Sequence, residues 1–235
     1  MVSVVIPAYN EEQSISDCLD SLVKQKTSLE FEVIVVNNNS TDKTVERANQ
    51  YKDRLNLRII DQPIKGRGAA RKKGFNEAKG EIIFSTDADT AVSSNWIEEF
   101  TNILKTDDIV AITGACKIES LSKTANSVFN FLQPFMMRIY RIIFGHYWLS
   151  GFSFAIYKGI YVKSGGFDQS LNAQEDIDLS FKVSRLGKIS FSNLRVTSSA
   201  RRFDKGLFKG LFPYVNTFIS FFFFKNKKVV LDDVR

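Results

Sequence analysis

Histidine and cysteine are scarce in this sequence, which has one histidine and two cysteines among its 235 residues. A single histidine, His146, cannot supply the several imidazole ligands of a histidine-rich zinc site. Cys18 and Cys116 form neither a Cys-x-x-Cys pair nor a disulfide framework, so we expect both to be core residues. Proline is also rare, with four copies, and no repeat or low-complexity linker divides the chain. These absences favour one large domain that uses neither zinc nor disulfide chemistry.

The sequence also lacks an acidic excess and a leader-like N-terminus. The formal net charge is +6 and the pI is about 9.2, which suits an anionic partner such as a nucleotide, a phospholipid surface or a nucleic acid. No recognised nucleic-acid-binding motif accompanies this charge, so nucleic acid is not an expected partner. Residues 1–7 lack the basic segment and the cleavage site of a signal peptide. We therefore expect a cytoplasmic protein.

Short apolar runs alternate with helix-like segments along the first half of the chain. The apolar runs predict strands at 2–6, 31–36, 57–60, 82–86 and 109–114. Such alternation is typical of an α/β protein with a mostly parallel sheet. The second half is less regular, with strands predicted at 149–156, 189–191 and 195–198 and helices at 157–163 and 175–185.

Two carboxylates one residue apart follow the fourth predicted strand. Alternate residues of a strand point to the same side, so Asp87 and Asp89 can face one spot. Open α/β sheets bind ligands at the carboxyl ends of their strands. Two acids placed there can hold a divalent cation, Mg²⁺ or Mn²⁺, which in turn holds a diphosphate. The alternative is a solvated turn, because Asp is common in turns.

Several short motifs occur in the same order as in a known enzyme family. They lie at 4–12, 38–42, 68–74, 87–89, 165–168 and 175–176. Their order and spacing resemble those of the family 2 glycosyltransferases, which have the GT-A fold. The resemblance implies a hexosyltransferase that takes a sugar from a nucleotide-sugar donor and uses Mg²⁺ or Mn²⁺ as cofactor. The Gln-x-x-Arg-Trp pattern of processive members is absent, so we expect transfer of one sugar at a time.

The resemblance also implies the residues of the donor site. The end of the first strand would contact the nucleotide through Pro7, Ala8, Tyr9 and Glu11. The Asp-Ala-Asp motif would bind the donor through Asp87 and Ala88 and the metal through Asp89 and Asp87. The diphosphate would lie near a helix N-terminus and the guanidinium groups of Arg67, Arg71, Arg201 and Arg202.

Asp176 matches the catalytic base of the family, with Glu175 beside it. It would take a proton from the acceptor while the anomeric carbon is attacked from the face opposite the diphosphate. That single displacement inverts the anomeric centre. The alternative is structural, because the helix macrodipole favours acids at a helix N-terminus in any case.

One motif departs from the family pattern. The aspartate that contacts the base in the family falls on Asn38, whose amide can accept from a ring N–H and can also donate. This change motivates a second hypothesis, a degenerate nucleotide-sugar-binding or interaction protein without turnover. A phosphatase of the haloacid-dehalogenase type fits less well. Its paired acids normally follow the first strand and are followed by Thr or Val, whereas Ala91 stands here.

The C-terminal region is rich in phenylalanine and lysine. Residues 211–224 form an uncharged stretch that is shorter than the ~20 residues of a spanning helix. We expect them to lie in the plane of an anionic membrane surface, with the protein peripheral on its inner face. The alternative is a homodimer interface. A second aromatic stretch, 129–144, contains two arginines and could form another interfacial helix, but we expect core packing.

These observations divide the chain into two parts. Residues 1–205 are predicted to form the GT-A domain, with a nucleotide-sugar-binding half at 1–115 and an acceptor half at 116–205. Residues 206–235 are predicted to form an amphipathic extension that associates with the membrane. The acceptor is therefore expected to be lipid-linked or membrane-proximal.

Overall fold

A computed structural model describes residues 1–119, 123–199 and 201. Within these residues eight strands form one sheet, in the order β3-β2-β1-β4-β7-β6-β8-β5. The strands are β1 Val2–Ala8, β2 Phe31–Asn37, β3 Leu57–Asp61, β4 Ile82–Ser85, β5 Thr90–Ala91, β6 Ile109–Glu119, β7 Phe154–Tyr157 and β8 Lys188–Ser199. The helices are α1 Ile15–Val23, α2 Thr44–Asn49, α3 Arg67–Glu77, α4 Trp96–Leu104, α5 Lys123–Phe144, α6 Lys158–Lys163 and α7 Glu175–Val183.

The polarity of the strands brings several loops to one edge of the sheet. Strands β1 to β4 are parallel to one another, and β6 is parallel to β8. Strand β7 runs antiparallel between β4 and β6. The predicted α/β class with a mostly parallel sheet is therefore confirmed. The carboxyl ends of β1, β2 and β4 lie side by side, which is where such sheets bind ligands.

The core lies on both faces of this sheet. Because side chains alternate along a strand, Val4 belongs to the apolar cluster that contains Trp96, on the face covered by α1 and α4. Its neighbour Val5 belongs to the cluster that contains Phe75, on the face covered by α3 and α7. Burial of each large apolar side chain contributes ~1.5–3 kcal/mol, which holds the helices on the sheet. The two cysteines are buried free thiols, Cys18 and Cys116.

Strands β6 and β8 are longer than the sequence indicates. The structure has one strand at Lys188–Ser199 where two were predicted, and β6 continues past 114 to Glu119. The register between them shifts after Gly114 and Ser192, where β8 has two extra residues. Such a bulge interrupts the alternation of apolar and polar residues along the strand. The sequence of this one strand therefore resembles that of two short strands. Strand β7 begins only at Phe154, because a turn occupies the preceding residues.

The two predicted halves of the GT-A domain share the same sheet, since residue 115 lies inside β6. The extension at 206–235 lies outside the described residues, so its membrane association stays a prediction. Within the described part of the chain, no helix is long and apolar enough to cross a membrane. The stretch 129–144 meets the expectation of core packing on one face of α5, where Met137 and Tyr140 are buried, and departs from it on the other face, which is exposed.

Candidate active site

Acidic side chains from three separate loops meet at the carboxyl edge of the sheet. Glu11 follows β1, Asp87 and Asp89 follow β4, and Asp176 lies in the first turn of α7. Arg71 and Arg201 connect these segments through ion pairs. The structure thus brings together the acids that the sequence singled out at 11, 87, 89 and 176.

Arg71 is the buried centre of this cluster. Its side chain is 4% exposed, and its guanidinium pairs with Glu175 and, at 2.5 Å, with Asp87. A Cβ atom at Gly151 would overlap Arg71 Nη2, so any larger residue there would require the guanidinium to move. The prediction placed Arg71 on the diphosphate, whereas the structure directs its terminal nitrogens to two carboxylates. Arg71 therefore joins the Asp-Ala-Asp loop to the start of α7.

Asp176 is half-buried and held by backbone donors. Its Oδ2 accepts from the N–H of Gly151 at 3.1 Å and its Oδ1 accepts from the N–H of Ile177 at 2.8 Å. Burial, and next the charge of Glu175, raise the pKa of Asp176 to about 6, while Arg71 opposes this rise. A carboxyl with such a pKa can accept a proton near neutral pH, which is the chemical requirement for a general base.

Arg201 forms the second connection, between β8 and the other two loops. Its Nη2 donates to Glu11 Oε2 at 2.6 Å and to Asp89 Oδ2 at 3.2 Å. The backbone N–H of Ser199 also donates to the carbonyl of Asp89 at 3.0 Å. Arg201 therefore lies at the site, on carboxylates. Arg202 lies outside the described residues.

The Asp-Ala-Asp loop supplies a two-carboxylate set. Ala88 is buried between Asp87 and Asp89, and each carboxylate has an arginine as counter-ion. Among the residues that the structure describes, no three His, Cys, Asp or Glu side chains group as a metal site. Mg²⁺ and Mn²⁺ accept oxygen donors, and Mg²⁺ often takes one or two carboxylates together with substrate phosphates. The chemistry of this pair fits such an ion.

Asn38 has a different environment from the one predicted. Its amide nitrogen donates to the carbonyls of Gln62 at 2.7 Å and Ile64 at 2.8 Å, and its Oδ1 accepts from the N–H of Gly66 at 2.8 Å. Both amide hydrogens are thus used to hold the loop 62–66. An aspartate here would direct a carboxylate oxygen at two carbonyls, so the amide suits this loop.

The same loop carries a residue that the sequence reasoning missed. Lys65 Nζ lies 3.0 Å from the hydroxyl of Tyr9 and 4.3 Å from the centre of its ring. Tyr9 follows the last two residues of β1, Pro7 and Ala8, at the predicted nucleotide end of the site. The sequence signal that could have indicated Lys65 as a site residue is its position directly before the Gly-Arg-Gly motif.

The N-terminus of α3 is closed by other parts of the chain. The backbone N–H of Arg67 donates to Asn172 Oδ1 at 3.0 Å, and that of Gly68 donates to the carbonyl of Leu171 at 3.0 Å. Those first N–H groups are the ones that an anion would need. The prediction of a helix N-terminus open to the diphosphate therefore differs from the structure.

Comparison with known proteins gives a consistent result. The sequence profile described as "Glycosyl transferase family 2" matches residues 3–164. A poly(ribitol-phosphate) beta-glucosyltransferase of Bacillus spizizenii is 40% identical over 108 residues, 44% of this chain and 17% of the relative. The probable glycosyltransferase YdaM of Bacillus subtilis is 30% identical over 200 residues, 79% of this chain and 47% of the relative. The chain therefore spans less than half of either relative.

Two solved structures have the same architecture. Residues 1–349 of TarS from Staphylococcus aureus, in complex with UDP-GlcNAc, match with a TM-score of 0.68 at 22% identity, over 84% of this chain and 58% of TarS 1–349. The mannosyltransferase PcManGT from Pyrobaculum calidifontis, in complex with GDP-Man and Mn²⁺, matches with a TM-score of 0.66 at 20% identity, over 92% of this chain and 64% of that chain. At 20% to 22% sequence identity, these two matches show a shared fold and nothing further.

Proposed function

The chain belongs to glycosyltransferase family 2, with the GT-A fold, and from this premise we propose that it is an inverting, metal-dependent hexosyltransferase. It would move one sugar from a nucleoside-diphosphate sugar to a lipid-linked or membrane-proximal acceptor. The observation that carries the proposal is the meeting of Asp87, Asp89 and Asp176 at one edge of the sheet. Arg71 connects that aspartate loop to the start of α7.

The donor would lie across the ends of β1 and β4. Tyr9 offers a ring and a hydroxyl for the nucleoside, and Glu11 offers a carboxylate for ribose hydroxyl groups. Asp89 and Asp87 would hold Mg²⁺ or Mn²⁺. When bound, such an ion would neutralise the charge that develops on the departing diphosphate. Arg201, now paired with Glu11 and Asp89, would be released from Asp89 and become available to the phosphates.

Asp176 would act as the general base. The acceptor oxygen forms a bond to the anomeric carbon as the bond from that carbon to the diphosphate oxygen breaks. The electron pair leaves with the nucleoside diphosphate, and the acceptor proton goes to Asp176. Burial favours this role because it raises the pKa of the carboxyl to about 6. Arg71 and the Gly151 N–H keep the ionised form available near neutral pH.

The relatives support an acceptor of the cell envelope. The names of the Bacillus spizizenii enzyme and of Staphylococcus aureus TarS describe transfer of glucose or N-acetylglucosamine to poly(ribitol-phosphate). A basic protein suits an anionic polymer or an anionic membrane that carries the acceptor. We therefore place the reaction in cell envelope glycan synthesis, on the inner face of the membrane.

A thermal-shift screen tests the donor site. UDP, GDP, CDP and dTDP would each be added with and without Mn²⁺ to the wild type and to Asp89→Ala. A ligand that binds only the native state raises the melting temperature by mass action. We expect one nucleotide to stabilise the wild type in the presence of Mn²⁺ and to lose this effect in Asp89→Ala. Stabilisation by no nucleotide would overturn the proposal and favour a degenerate binder or interaction protein.

A further inference from the structure

Helix α5, Lys123–Phe144, presents a continuous apolar stripe to solvent. The large exposed side chains are Val128, Phe131, Leu132, Phe135, Met136, Ile142 and Ile143. Spacings of three, four and seven residues put them on one face of the helix. Phe131 is 75% exposed and Ile142 is 82% exposed. Contiguous apolar surfaces of this kind mark interaction sites on soluble domains.

The opposite face fixes the helix on the sheet. Met137 and Tyr140 are buried there. Asn130 and Gln133 accept hydrogen bonds from backbone N–H groups of β6, at 3.0 Å and 3.2 Å. These side chains set the rotation of α5, so the apolar stripe faces outward as a permanent feature of the fold.

The charges on α5 indicate the chemistry of a partner that would fit it. The helix contains no aspartate or glutamate. Arg138 lies three residues after Phe135 and four before Ile142, so it borders the stripe. Arg141 continues the same edge. Each guanidinium lies over an aromatic ring, that of Phe191 or Tyr147, 5.7 Å and 5.2 Å from the ring centres.

An apolar face with cations along its edge is the pattern of helices that lie in the interface of an anionic bilayer. A second copy of this chain fits the face less well, because each copy has a net charge of +6 and the arginines would approach one another. The helix is also close to the reaction site. Ser150 Oγ lies 3.9 Å from Met137 Sδ on its buried face, and the next residue, Gly151, donates to Asp176.

We propose that α5 is the surface by which this protein docks on an anionic bilayer, with the stripe buried in the headgroup and acyl boundary. This inference rests on the proposed function and deepens it, because it names the surface on which the acceptor is met. The helix lies along the bilayer plane and brings the loop that holds Asp176 close to the headgroups.

Vesicle co-sedimentation of the full chain tests the proposal. Vesicles of phosphatidylcholine would be compared with vesicles that also contain phosphatidylglycerol. The double variant Phe131→Ser/Ile142→Ser removes the two most exposed side chains of the stripe, and Val162→Ser removes a 65% exposed side chain of α6 as the matched control. We expect the double variant to bind anionic vesicles about tenfold or more weakly, and the control to bind like the wild type.

The arginines give a second, independent readout. Arg138→Gln/Arg141→Gln is expected to weaken binding to the anionic vesicles about fivefold per arginine and to leave the weak binding to phosphatidylcholine unchanged. Nucleotide-induced thermal shifts, measured on the same proteins, are expected to stay at the wild-type value. Vesicle binding needs no donor, so failure of this inference and failure of the proposed function are separate results.

Three outcomes would overturn the inference. The wild type does not bind anionic vesicles, or the Phe131→Ser/Ile142→Ser variant binds them as the wild type does. In the third, light scattering shows a dimer that this variant converts to a monomer. That outcome would make a second copy the occupant of the stripe.

Discussion

The pKa of Asp176 gives the sharpest prediction about the chemistry. Burial and the neighbouring charge of Glu175 raise it from an ordinary value of 3.8 to about 6. That difference corresponds to a penalty of ~3 kcal/mol on the ionised form. Glu175→Gln removes one negative charge beside Asp176 and keeps an oxygen that can accept from Arg71. Loss of that charge favours ionised Asp176, and the retained oxygen keeps Arg71 in place, so the pKa of Asp176 should fall by about one unit or more.

The expected result is a shift of the acid limb of the pH profile. The active form of a general base is ionised, so kcat/KM rises as pH increases through the pKa of the free enzyme. In the wild type this rise should centre on about 6, and in Glu175→Gln it should move to lower pH. The assay is release of nucleoside diphosphate at constant ionic strength and saturating Mn²⁺. Glu119→Gln, on an exposed surface pair with Lys117, is the matched control and should not shift the limb.

The reasoning would be refuted by an acid limb that stays in place or moves to higher pH in Glu175→Gln while the variant keeps its fold. The first result would mean that Glu175 does not influence the titrating group, or that the group is not Asp176. The second result would mean that Glu175, by holding Arg71 in place, stabilises ionised Asp176 more than its own negative charge destabilises it. Thermal denaturation of both variants provides the check on folding.

Three further substitutions test individual contacts. Arg71→Met leaves two carboxylates without their buried counter-ion and should lower the free energy of unfolding by ~3–5 kcal/mol in urea titrations. A loss below ~1 kcal/mol would contradict the central role of this side chain. Asn38→Asp should lower the free energy of unfolding by ~1–3 kcal/mol in the same titrations, because a carboxylate oxygen would face the carbonyls of Gln62 and Ile64, which would lose their amide donor. Equal or greater stability would contradict the assignment. Arg201→Gln removes the guanidinium that pairs with Asp89. The nucleotide-free protein should therefore bind Mn²⁺ about tenfold more tightly, ~1.4 kcal/mol, as measured by electron paramagnetic resonance. Weaker binding would show that Arg201 does not compete with the ion.

The sequence predicted the strands and the acids of the site because both depend on short-range patterns. Apolar runs of four to six residues locate β1, β2 and β4, and polar residues directly after them mark the ends of these strands. Asp87 and Asp89 are two residues apart, so their common direction follows from strand geometry alone. Asp176 was predicted from the resemblance to the family, and the structure places it in the same cluster as Asp87 and Asp89.

The contacts of the arginines and of Asn38 were not predictable in this way. Arg71 meets Glu175 across 104 residues of sequence and Arg201 meets Glu11 across 190. Asn38 bonds to a loop that begins 24 residues later. Side-chain direction over such separations is set by packing, which composition and periodicity do not contain. The amphipathic pattern of α5 was visible, but which face meets the sheet depends on the hydrogen bonds from β6.

The local backbone geometry at Gln174 and Gly151 was also not predictable from the sequence pattern. Gln174, directly before α7, has a left-handed backbone with φ of 63°, which is uncommon for a residue other than glycine. Gly151, in the turn before β7, leaves space for the guanidinium of Arg71, which a Cβ atom would overlap. Both residues lie near Asp176, and backbone conformations such as that of Gln174 cluster at functional sites.

The stereochemistry of the first-formed product tests the central claim most directly. The donor identified by nucleotide screening would be turned over with Mn²⁺, and proton NMR would follow the anomeric signal of the transferred or released sugar before mutarotation. A single displacement assisted by Asp176 predicts a product of inverted configuration, and Asp176→Asn should slow its formation at least a hundredfold. A product of retained configuration, or an Asp176→Asn variant with the wild-type rate, would contradict the account.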